Sequence, residues 1–103
     1  MSRTISREYV IAADHPCLDG HFPGDPIVPG VLLLDMMRLL LQQWQPQLCI
    51  SAIAKAKFHH PLRPGEPFTI TLVERSPGSY RFECLRGTDK LASGLVHTEP
   101  RPS

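Results

Sequence analysis

Pro29-Gly30-Val31-Leu32-Leu33-Leu34-Asp35-Met36-Met37-Arg38-Leu39-Leu40-Leu41-Gln42-Gln43-Trp44 is the stretch on which the fold turns. Proline suits the first turn of a helix, because its missing N–H has no partner there anyway. Pro46 stops the run at the other end. The spacing predicts a helix from Pro29 or Gly30 to about Gln43 or Trp44. Apolar residues fill positions 31–34, 36, 37 and 39–41, leaving Asp35, Arg38 and Gln42 as one narrow polar stripe. A helix apolar around most of its circumference has to be wrapped rather than laid on a surface.

Upstream, residues 4 to about 13 carry Ile5, Tyr9, Val10 and Ile11 and read as a strand. From Asp14 to Pro29 the chain is rich in turn residues, with prolines at 16, 23, 26 and 29. Each proline removes a donor and restrains its predecessor, so helix is not expected there. His21 lies in this segment, fourteen residues before Asp35, with three prolines and two glycines between them. Such stiffening fixes the geometry of an imidazole and a carboxylic acid, a pair suited to taking one proton and giving another.

Downstream, four segments have strand character. Ile50 to His59 alternates, with Ala52, Ala54, Ala56 and Phe58 on one side and Lys55, Lys57 and His59 on the other. A corner at His60–Gly65 follows, then strands over 68–75, 80–86 and 91–97, separated by turns at 76–79 and 87–89. The short turns imply antiparallel pairing. The fold class is therefore α+β: an antiparallel sheet curled around one long central helix, with small alanines allowing a close approach.

The 103 residues suffice for one domain, read as 1–98, followed by a disordered tail over 99–103. A domain this small gains from associating with a copy of itself. A net charge of +1 without a basic run excludes nucleic acid and membrane surfaces as expected partners. The longest apolar run, Val31–Leu34, is far too short to cross a bilayer, and the first residues lack the apolar stretch of a secretory signal. Three cysteines (Cys17, Cys49, Cys84) with no CxxC pair fit a reducing compartment, and a cytoplasmic location is expected. His59 and His60 are adjacent, and neighbours on a strand face opposite sides. With no His/Cys/Asp spacing elsewhere, no metal site is expected.

With these residues in hand, the chain resembles the FabA/FabZ family of β-hydroxyacyl-carrier-protein dehydratases, which have the hot-dog fold. The resemblance rests on Gly20-His21-Phe22-Pro23-Gly24, on Pro26-Ile27-Val28-Pro29-Gly30-Val31-Leu32 with Asp35, and on Lys57-Phe58 through Pro61 to Arg63-Pro64-Gly65. The short length also resembles small dehydratases encoded in aryl-polyene gene clusters. The resemblance implies that His21 takes the α-proton of a 3-hydroxyacyl thioester and that Asp35 helps the hydroxyl leave as water. It implies that the Gly30 N–H polarises the thioester carbonyl, and that Phe22, Pro29, Val31 and Phe58 bind substrate. It further implies an acyl carrier protein as partner, presenting a phosphopantetheine-linked substrate, and no metal or redox cofactor. A homodimer is implied in which each site takes its histidine from one subunit and its carboxylate from the other; hexamers and heterodimers are alternatives.

A neutral imidazole is a competent base near pH 7, and an oxyanion at a helix start gains from oriented N–H donors. Donation by Asp35 requires its carboxyl to hold a proton, and Leu32, Leu34, Met36 and Leu39 offer desolvation as the means. Two departures stand out. A glutamine that is common four residues after the acid is Leu39 here, and Arg38 sits one helical turn from Asp35, where an ion pair would oppose donation. By periodicity alone, Asp35, Arg38 and Gln42 also read as an ordinary solvated stripe. A hot-dog thioesterase, with the carboxylate activating water, and a non-catalytic subunit of a dehydratase heterodimer are therefore the other readings.

Overall fold

The computed structural model describes residues 3–12, 14 and 27–102. Its elements run β1 (Thr4–Tyr9), α1 (Gly30–Trp44), β2 (Leu48–Phe58), β3 (Phe68–Ser76), β4 (Ser79–Arg86) and β5 (Asp89–Pro100). All strand pairs are antiparallel, and the five strands lie in the order β1-β3-β4-β5-β2. This is the expected α+β arrangement of one long helix on a curled antiparallel sheet. No helix among the described residues is long and apolar enough to cross a membrane.

Helix α1 starts where Pro29 holds extended backbone (φ −61°, ψ 139°) and ends at Gln45, before Pro46. Leu33, Met37, Leu40 and Leu41 recur at helical spacing and are its buried residues. They meet the inner faces of β3 and β4, where every second residue is buried: Phe68, Ile70 and Leu72, then Tyr80, Phe82 and Cys84. In β5 the alternation breaks. Cys84 pairs with Ala92 but Leu85 pairs with Lys90, so Leu91 is an extra residue and both Leu91 and Ala92 are buried. Trp44 closes the end of the core, its ring edge-on to Tyr80 with centroids 5.7 Å apart.

Several sequence boundaries are corrected. The first strand ends at Tyr9, not near residue 13. The tail assigned to 99–103 begins too early: Glu99 and Pro100 pair with Cys49 and Leu48 in the sheet. The Arg101 N–H also donates to the Gln47 carbonyl at 2.8 Å. Strict alternation along β2 fails as well, because register shifts fall between Ile50 and Ala52 and between Ile53 and Lys55. Two bulges in an edge strand re-aim its side chains. Ile50 and Ile53, rather than a continuous alanine row, share a hollow with helix residues Val31, Leu34 and Met37.

In the single chain the wrapping is one-sided. Val31 is 72% exposed and Leu39 42%, and residues 51–58 of β2 all lie open, Ile53 at 47% and Phe58 at 53%. The β2 edge and the helix face beside it thus form one apolar, unpaired flank.

Candidate active site

The start of α1 is the feature around which Gly30, Val31 and Phe58 gather. Val28 donates its N–H to the Leu62 carbonyl (2.8 Å), which ties the segment before the helix to the corner after β2. That corner is held in turn by Glu66. Its carboxylate accepts the Arg63 N–H at 2.8 Å and Arg86 Nη1 at 3.0 Å. The Arg63 amide, foremost, and the Arg86 guanidinium hold the Glu66 carboxyl below its ordinary 4.5. A pocket of about 540 Å³ opens between these parts, with Gly30, Val31 and Phe58 in its wall.

Gly30 is packed against Phe58 rather than open. A Cβ at position 30 would stand 2.6–3.0 Å from three atoms of the Phe58 ring, so only glycine admits this approach. The helix start carries no side-chain cap and no acidic residue in its first turn. Among the described residues nothing accepts the Gly30 or Val31 N–H, and with the positive end of the helix dipole these two are available to an oxygen bearing developing charge.

Asp35 lies one turn further along, in a shallower hollow beside this pocket; Val31 and Leu34 border both. Its side chain is half-exposed, not desolvated by Leu32, Leu34, Met36 and Leu39. Arg38 turns toward it, with Nη2 and Nε 2.8 and 3.2 Å from Oδ1. Among the expected residues, the structure therefore brings together Gly30, Val31 and Phe58, has Pro29 immediately before the first helical residue, and sets Asp35 in the adjoining hollow. His21 and Phe22 lie outside the described residues.

Two groups of side chains escaped the sequence reading. His59 and His60, placed on opposite faces by strand alternation, both line the pocket at the helix start. Strand β2 ends at Phe58, so alternation no longer applies to them; Pro61, which cannot continue the ladder, was the available signal. On the outer face of the sheet, Lys55 and Lys57 join Arg75 and Arg81 in a depression of about 550 Å³ with no acidic residue in its wall. Arg63 lines neither of these hollows; the hairpin β3–β4 supplies the other cations. His59 borders both the pocket and this basic depression.

The model of the ApeI-like family, described as ApeI dehydratase, matches residues 1–95. The 3-hydroxyacyl-[acyl-carrier-protein] dehydratase FabZ of Chlamydia trachomatis serovar L2 is 27% identical over 107 aligned residues, covering 90% of this chain and 70% of that protein. Among solved structures, the dehydratase heterocomplex ApeI:P from Xenorhabdus doucetiae superposes with a TM-score of 0.85 at 22% identity, covering 95% of this chain and 88% of the other. A fluoroacetyl-CoA-specific thioesterase, FlK, superposes at 0.70 with 17% identity, covering 94% and 90%. These likenesses establish the hot-dog fold, which catalytically different proteins share.

Proposed function

Because this chain belongs to the ApeI-like dehydratase family, we propose that it removes water from a 3-hydroxyacyl thioester carried by an acyl carrier protein, giving the trans-2-enoyl thioester. The observation that carries the reading is the helix start at Gly30, which has no side-chain cap and lines an apolar pocket. A thioester carbonyl seated there would receive the Gly30 N–H while the acyl chain follows the apolar wall. His21 takes the proton from C2, and the C–H electron pair moves to the carbonyl oxygen as an enolate. Collapse of the enolate forms the C2–C3 double bond and expels the C3 hydroxyl, which leaves as water with a proton from Asp35. Pro29, Val31, Phe58 and Phe22 hold the substrate in this reading.

The pairing of subunits belongs to the same proposal. Asp35 faces its own shallow hollow on the open flank, next to β2, where a second copy or a homologous partner would cover it. A histidine from one subunit and a carboxylate from the other would then face one substrate. The carrier protein is expected on the basic depression formed by Lys55, Lys57, Arg75 and Arg81, since its acidic surface complements four clustered cations.

Mass spectrometry of a 3-hydroxyacyl carrier after incubation tests the reaction: loss of one water supports it. His21→Ala is expected to abolish that loss with the fold intact by circular dichroism, and Asp35→Asn to reduce it by roughly 10²-fold or more. Full activity in Asp35→Asn removes the acid from the mechanism. One observation favours a second reading. Asp35 is ion-paired with Arg38 and half-exposed, as a carboxylate that activates water would be. Release of a free carrier thiol from a saturated acyl carrier would support that thioesterase activity instead.

A further inference from the structure

The pocket at the helix start has an apolar wall, with buried Val28, Leu33 and Leu62 beneath half-exposed Phe58. Among the described residues that line it, only His59 and His60 have side chains able to form hydrogen bonds. The Nε2 of His59 lies 3.0 Å from the Ser93 hydroxyl, which can donate or accept, so the contact leaves that ring's tautomer open. His60 is different. Its Nδ1 lies 3.0 Å from the Lys90 carbonyl oxygen. A carbonyl only accepts, so Nδ1 carries the proton and the Nε2 of the neutral ring is a bare acceptor. No described group bonds to that nitrogen. Pro61 restrains the His60 backbone to extended shapes, and the His59 N–H donates to the Leu91 carbonyl at 2.8 Å. The ring is thus held through Nδ1 on a restrained backbone, with one acceptor atom unspent.

An acceptor at this place reads a donor. A carrier-bound 3-hydroxyacyl thioester has two donors near its sulfur: the hydroxyl on the acyl side and the first amide N–H of the arm. His60 is exposed and stands at the mouth, whereas the buried aliphatic residues that suit the acyl chain lie below. We propose that His60 is a specificity-determining residue whose Nε2 accepts a hydrogen bond from the amide N–H nearest the sulfur of the substrate's arm. The assignment rests on the thioester reading above, though not on which bond of the thioester is broken.

Two unreactive thioethers test it: S-hexyl-N-acetylcysteamine, which keeps the amide N–H, and its N-methyl amide, which lacks it. Titration calorimetry of the full chain is expected to show about tenfold tighter binding of the first, the scale of one hydrogen bond. His60→Phe, folded by circular dichroism, is expected to bring that ratio to about one, and His60→Gln, which keeps an acceptor, to restore part of it. No preference in the wild type, or a preference that survives in His60→Phe, overturns the assignment. Failure of the dehydratase reading is seen separately: a His60-dependent amide preference without loss of water from a 3-hydroxyacyl carrier sinks the reaction and keeps the recognition.

Discussion

The contact between Arg38 and Asp35 joins two half-exposed side chains, so water screens most of its Coulomb energy and its loss costs little stability. Its effect on chemistry is larger, because the Arg38 Nε and Nη2 contacts occupy Oδ1, an oxygen the reacting hydroxyl would otherwise reach. Arg38→Met is therefore expected to leave the melting temperature within about 2 °C. In the same variant, dehydration measured at pH 7 should rise severalfold. A fall in turnover instead would favour the water-activating carboxylate. Cys84 shows the opposite environment. Burial between the sheet and the helix pushes its thiol from 9.0 up to about 12. The unfolded chain ionises this thiol at lower pH than the folded one does. Its contribution to stability is thus complete below about pH 9 and lost as pH rises toward 12. Urea denaturation at pH 8 and pH 10.5 should show a drop in stability that Cys84→Ala reduces.

The helix and the last three strands were legible because their physics is local: 3.6-residue and two-residue periodicities bounded by proline and glycine. The alternation of Phe68, Ile70 and Leu72 and of Tyr80, Phe82 and Cys84 is the core as found. What escaped was set by pairing partners. The bulges in β2 and at Leu91 exist because of the register with β5, and no feature within either strand announces them. The same holds for Glu99 and Pro100, whose polarity reads as a tail until Leu48 and Cys49 are set opposite. At the site, the contact of Gly30 with Phe58 joins residues far apart in sequence, and the ring of His60 is placed by a carbonyl thirty residues away. Gly94 is where this pairing is most constrained. A Cβ there would stand 2.1 Å from the Lys55 carbonyl of the edge strand and 2.6 Å from the buried Phe82 ring. Neither backbone nor core ring can yield cheaply. Gly94→Ala is expected to cost about 3 kcal/mol in chemical denaturation and to free the β2 edge, read as faster amide exchange over residues 48–58.

At the scale of the molecule, the open flank is the least self-sufficient part. An edge strand eleven residues long presents Ile53 and Phe58 at half exposure beside Val31 of the helix. Unpaired edges with apolar neighbours are templates for association. Lys55 and Lys57 limit the danger on the outer face only, where they line the basic depression. Sedimentation velocity is expected to show the chain assembled with a copy of itself at micromolar concentration. Ile53→Glu, which places a charge in the hollow shared with the helix, should shift it to a single-chain species while retaining circular dichroism; unchanged association in that variant would refute this use of the flank.

The stitch between Arg101 and Gln47 has a practical corollary for anyone attaching this protein to a solid support. It brings the last strand out beside the far end of α1, and fifteen helical residues at 1.5 Å each span roughly 22 Å. A tether joined after Arg101 would therefore anchor the molecule by its closed end, leaving the mouth beside Phe58 and the cations of the outer sheet turned toward the bulk solution.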